Sequence, residues 1–232
     1  MIKKLIFLAL IAGVGYMFWT GLAEYKAAES LNRISSYYAQ DGLKEVGAAN
    51  LVTAVVVTYR GLDTLGEVSI LFLTASILGF FLVSGKEPKI PLQDSSEILK
   101  TASKLLEPII LLFGIYVFIN GHLTPGGGFQ GGAILASALI LAYLANPNEG
   151  INKSIFRITE SISGVVFVII GILGIVLAGG FLDNRLIPVG SIGDLISAGI
   201  IPIIYIFVGM KVGAELSSIV TNLKHSPKNN VE

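Results

Sequence analysis

Apolar residues run in six long blocks, at about 4–23, 64–85, 98–120, 128–146, 159–181 and 194–221. Each approaches the ~20 residues an α-helix needs to cross a hydrocarbon core of roughly 30 Å. Strands of a membrane barrel would instead show segments of about ten residues alternating apolar and polar. Helices also satisfy their own backbone groups within one segment, as lipid requires. The pattern predicts an all-α, polytopic integral membrane protein of about six spans with no soluble domain.

One stretch is irregular. Residues 24–40 read as a polar helix on the outer face, and residues 45–59 as an apolar segment that is interfacial or re-entrant. If 45–59 spanned, the topology downstream would invert. The linker Lys86-Glu-Pro-Lys-Ile-Pro-Leu-Gln-Asp-Ser-Ser divides the chain into two modules, 1–88 and 95–232. Met1-Ile-Lys-Lys before Leu5–Trp19 has the look of a signal peptide. A poor cleavage site follows, and an uncleaved first span is expected.

Composition sharpens this picture. Hydrophobic residues are 53% of the 232 and charged residues 14%, where a soluble domain carries about a quarter charged. Lys+Arg and Asp+Glu balance at 16 each, so no basic surface calls for nucleic acid. There is no Cys, hence no disulfide and no thiolate ligation of a metal or cluster by this chain. Lys3, Lys4, Lys86, Lys89, Lys153, Arg157, Lys224 and Lys228 fall on one side of a six-span topology. Arg185 lies opposite, and the 24–63 segment there mixes its bases with acids. That bias places both termini in the cytoplasm.

Four clusters carry candidate chemistry. In Tyr59-Arg-Gly-Leu-Asp-Thr-Leu-Gly-Glu67, Asp63 and Glu67 are four apart and share a helix face. Asp63 either caps the helix or pairs with Arg60, and Glu67 sits about a turn inside the membrane, where ionisable groups mark a polar path or a partner. In Asn120-Gly-His-Leu-Thr-Pro-Gly-Gly-Gly-Phe-Gln-Gly-Gly132, the run Pro125, Gly126, Gly127, Gly128, Gly131 and Gly132 predicts a tight non-helical turn. Its His122 suits a proton relay or a structural hydrogen bond. Glu107 precedes Pro108, with Lys104 and Lys100 on the same face as possible partners. Lys211 and Glu215 are four apart in the last span, a neutralising pair or a proton-path element. Asp183, Arg185 and Asp194 are expected in solvent. No nucleophile–base pair, Walker motif, metal-ligand spacing or dinucleotide fingerprint appears, so neither a catalytic site nor a cofactor is expected on this chain.

At these residues the chain resembles a known family. The segment "LFGIYVFINGHLTPGGGFQGGAILASALILAYLA" and the last span "LISAGIIPIIYIFVGMKVG" resemble the MnhB/MrpB subunit of Mrp-type multisubunit Na⁺/H⁺ antiporters. "NLVTAVVVTYRGLDTLGEVSILFLTASILG" is similar to the small C-terminal domain of the large MrpA subunit, which also occurs separately as the MbhE component of membrane-bound hydrogenases. The resemblance implies a non-catalytic membrane subunit working with other Mrp-type subunits in a prokaryotic cell membrane. A hydrogenase-like or sulfane reductase-like peripheral arm is a further partner it allows. It maps the family's buried acid onto Glu67. Against this ion-path reading stand a structural spacer, and a stand-alone transporter, for which the chain lacks internal repeats.

Overall fold

The computed structural model describes residues 2–23, 25, 30–82, 95–147 and 153–224. The chain is helical, with α1 (Ile2–Ala23), α2 (Arg33–Val46), α3 (Leu51–Thr53, continuing as a π-helix over Ala54–Tyr59), α4 (Gly61–Leu82), α5 (Glu97–Ile119), α6 (Gly128–Ala145), α7 (Lys153–Ala178) and α8 (Ile201–Lys224). Six of these, α1 and α4–α8, are long and apolar enough to span a bilayer. The module linker with Lys86 and Lys89, Lys26 and the terminal Lys228 lie outside the described residues.

Two compact units are present, divided between Tyr37 and Tyr38. In the first, α1 exposes apolar side chains all round, including Leu5, Phe7, Met17 and Trp19. It is followed by the start of α2. Of the expected polar helix over 24–40, residues 25 and 30–32 are not helical and residues 24 and 26–29 lie outside the described residues. The helix runs from Arg33, where Asn32 caps it by accepting the Ser35 N–H at 2.8 Å.

The second unit is built on α8, which packs against α4, α5, α6 and α7. Glycines set the spacing of α5, α6 and α8. A Cβ on Gly131 would meet the Gly114 carbonyl at 2.7 Å, and one on Gly132 the Gly209 carbonyl at 2.7 Å. Gly128, Gly131 and Gly132 therefore belong to the first turns of α6 and not to the non-helical turn, which covers 120–127. Glycine is a weak helix former, but inside a membrane close backbone approach is a main source of helix association. At Gly127, φ of 154° is open to glycine and strained for other residues.

Residues 45–59 do not span. The nine residues Leu51–Tyr59 reach only about 14 Å as helix. Asn50 starts them, its side-chain oxygen accepting the Val52 N–H at 3.1 Å. The π-turn then leaves one carbonyl over. The Arg60 N–H bonds back to Val55, and the Thr64 hydroxyl donates to the Val56 carbonyl at 2.9 Å. The last span starts at Ile201, not at 194. Residues 194–200 instead form a loop with Ala198 and Gly199 at positive φ, and Pro202 fits the first helical turn.

Three non-helical segments meet at one end of this unit. Asn50 donates its backbone N–H to the His122 carbonyl at 3.0 Å. Its side-chain amide donates to the Gly121 carbonyl at 2.9 Å and the Thr124 carbonyl at 3.0 Å. The Thr53 hydroxyl donates to Gly121 at 2.7 Å and accepts the Tyr205 hydroxyl at 2.9 Å. From the third segment, the Asn184 amide donates to the Val46 carbonyl at 2.9 Å.

Asn50→Ala removes the cap, takes the side-chain donor from the Thr124 carbonyl and leaves the Gly121 carbonyl with Thr53 alone, so it is expected to cost about 2–3 kcal/mol. Asn50→Asp restores the cap but sets a carboxylate against the same carbonyls. Thermal melts of the assembled, detergent-solubilised protein check this: both variants should melt lower, and full rescue by Asp would contradict the donor role.

Candidate functional site

The charged groups divide into three settings. At the start of α4, Arg60 and Asp63 form an ion pair, both about half exposed. The pairing and the position in the first helical turn are both present, so Asp63 meets its cation and the helix N-terminus together. One turn further, Glu67 lies on the exposed face of α4 with no ion-pair partner among the described residues. Ile70, Leu73 and Ile77 continue the exposed apolar surface below it. The Asp63–Glu67 face predicted by spacing is thus present, but it points away from the rest of the unit.

The second setting is His122, fully buried in the 120–127 turn. Among the described residues neither ring nitrogen makes a well-aligned hydrogen bond. The backbone of Ile119, Asp194 and Leu195 lies beside the ring and favours its protonated form. Burial acts against that form more strongly and holds the His122 pKa below its ordinary value. Asp183 is buried, not solvated. Arg185 donates to it through Nε at 2.9 Å and Nη2 at 2.5 Å, which holds its carboxyl below the usual range despite burial.

The third setting is the middle of the bundle. Lys211 Nζ donates to Glu215 Oε1 at 2.5 Å, with both side chains buried. Lys211 also lies over the Phe72 ring, 4.8 Å from its centroid. Glu215 Oε2 is buried without a partner. Glu107 is half-buried on α5, and the pairing expected for it is absent. Lys100 instead reaches Glu97 at 3.6 Å, one turn earlier on the same face. The five candidate residues therefore do not converge on one centre. The sequence reading also missed Asn50, Thr53 and Tyr205. An Asn directly before an apolar run was the legible sign, as a helix start.

These features define a polytopic helical membrane protein that carries ionisable groups into its spans and leaves Glu67 exposed on one of them. Its second half, residues 98–218, matches the model of the domain related to the MnhB subunit of Na⁺/H⁺ antiporters. Residues 3–88 match the MbhE model, which describes the E component of MBH. The chain belongs to the MnhB-related family. The uncharacterized protein MJ1307 of Methanocaldococcus jannaschii is 31% identical over 199 residues, covering 73% of this chain and 74% of that protein. The putative antiporter subunit mnhB2 of Staphylococcus aureus is 40% identical over 96 residues, 40% of this chain and 68% of the relative. A chain in the structure of the membrane-bound sulfane sulfur reductase, an archaeal respiratory membrane complex, matches with a TM-score of 0.80 and 41% identity. That match covers 96% of this chain and 98% of the other. A chain of the Mrp complex from Dietzia sp. DQ12-45-1b shares the fold, with a TM-score of 0.77 at 22% identity. The present chain spans 27% of that longer one.

His122 gives a signed pH dependence. Its pKa is lowered on folding, so the unfolded chain binds a proton first as pH falls. Stability is complete above the unfolded value of about 6.5 and declines below it, by up to about 1.4 kcal/mol per pH unit until the folded group also titrates. Asp183 adds its own loss only in the carboxylate range. Melts between pH 8 and 5 should show the decline, and His122→Gln should flatten it.

Proposed function

We propose that this chain is a membrane subunit of a multisubunit cation/proton antiporter module, exchanging Na⁺ for H⁺, and that Asp63 and Glu67 line an ion path where α4 meets a neighbouring subunit. The observation that carries this is the exposed, unpaired Glu67 on an apolar span. A carboxylate facing lipid is costly, and such groups face a partner, a cavity or a translocated ion. Within its own unit no described residue covers Glu67, and in this reading another subunit does. The MnhB-related family and the mnhB2 relative supply the ion chemistry.

The full-length likeness to a chain of the sulfane sulfur reductase complex favours a redox-driven host with a peripheral arm over a plain Mrp antiporter. The two family matches support a division into modules at 1–88 and 95–232. Lysines 3, 4 and 153 with Arg157, against the single Arg185 in the short loops opposite, support cytoplasmic termini in a prokaryotic cell membrane. His122, Glu107 and Lys211 are further contributors in this reading.

Glu67→Gln in the assembled complex tests it. Na⁺-dependent proton flux in inverted vesicles should fall at least about tenfold, a barrier change of about 1.4 kcal/mol, with subunit composition on native gels unchanged. Wild-type flux with normal assembly would leave the chain a spacer.

A further inference from the structure

The helices α4 and α7 both pack on α8 and have little contact with each other. The gap between them is a cavity of about 370 Å³. Ser69 and Phe72 of α4, Glu160, Gly164 and Phe167 of α7, and Lys211 of α8 contribute to its walls. Lys211 lies ten residues into its span, roughly 15 Å along the helix and near the middle of the membrane.

The charges here do not cancel. From α7 comes the carboxylate of Glu160, half-buried and without an ion-pair partner among the described residues. From α8 come Lys211 and its buried partner Glu215. The lining of α4 contributes a hydroxyl and a ring but no charge. Lys211 is taken up by Glu215. Glu160 therefore faces the cavity without a cation of its own, and Arg157, exposed one turn earlier on α7, makes no ion pair with it among the described residues. An ionisable group carried into a span without a partner is costly, and such groups face a cavity, a partner or a translocated ion.

We propose that this cavity is a binding site for a monovalent cation, a proton or Na⁺, held by Glu160 at its wall, with Lys211–Glu215 as the fixed counter-charge. This rests on the ion-transport reading above and adds a second, separate location to it. Lys211 keeps the site from binding too tightly. An ammonium on the same wall offsets part of the pull of Glu160, which allows release as well as loading. Gly164 keeps the space open, since a Cβ there would already lie 3.6 Å from Lys211 Nζ and a longer side chain would fill the gap.

The test uses the assembled complex in inverted vesicles. The Na⁺ dependence of proton flux is measured at fixed pH, and the pH profile at saturating Na⁺. Glu160→Gln should raise the apparent KM for Na⁺ about tenfold if Na⁺ is the occupant, or displace the pH profile by about one unit if a proton is. Glu160→Asp should restore the wild-type value to within about threefold, and Gly164→Leu should reproduce the Gln phenotype by blocking the space. A Glu160→Gln complex with both profiles as in wild type overturns the proposal. So does a Glu160→Gln effect that Gly164→Leu fails to reproduce. If Glu67→Gln abolishes flux while Glu160→Gln has no effect, only the cavity site falls. If the wild-type complex exchanges no Na⁺ for H⁺, the underlying reading falls first.

Discussion

Backbone carbonyls buried away from water must find donors, and in this chain the turn between α5 and α6 takes two of them from one side chain, Asn50. Asn50 engages the Gly121, His122 and Thr124 carbonyls with its side chain and backbone while capping its own short helix. Thr53 and Tyr205 extend the network to α8. This fastening lets a segment too short to span stay folded among spans. It also decides where α4 begins. The π-turn that follows is closed by Thr64, so the register of Arg60, Asp63 and Glu67 depends on the same anchor.

The charges extend this accounting to the function. Arg60 and Asp63 neutralise each other at the mouth of α4, and Lys211 and Glu215 do so in the bundle interior. Glu67 and Glu160 are two carboxylates in spans that the chain leaves without a cation among the described residues. One faces outward from the unit and the other a cavity between helices. A subunit arranged this way makes sense only in company, consistent with its likeness to a chain of an archaeal respiratory membrane complex.

Much of the fold was legible in the sequence. Spans are long-range patterns of hydrophobicity, and four of the six were placed within a few residues. The fifth began six residues earlier than expected and the last seven residues later. The Arg60–Asp63 and Lys211–Glu215 pairs followed from helical spacing. What was not legible needed contacts across the chain. Gly128, Gly131 and Gly132 look like turn residues until α5 and α8 are seen against them. Glu107 lacks its expected partners because Lys100, seven residues away from it, pairs with Glu97 only three residues away, and Lys104 on the same helix stays exposed. Glu160 gave no signal, since its meaning comes from a gap between α4 and α7 that neither helix reveals alone. The π-turn had no local sign either, because its extra carbonyl is satisfied by a threonine on the next helix.

The central claim is that Glu67 faces a neighbouring subunit and a hydrated path instead of lipid. The chain has no cysteine, so Glu67→Cys introduces a single thiol on it. Labelling that thiol in the assembled complex with a membrane-impermeant, charged maleimide, beside an Ile70→Cys or Ile77→Cys control, tests the claim directly. The account predicts that position 67 reacts, that Na⁺ or a change of pH alters its rate, and that the controls stay unreactive. A thiol at 67 as inert to the charged reagent as the controls, yet readily labelled by a lipid-soluble one, would contradict it.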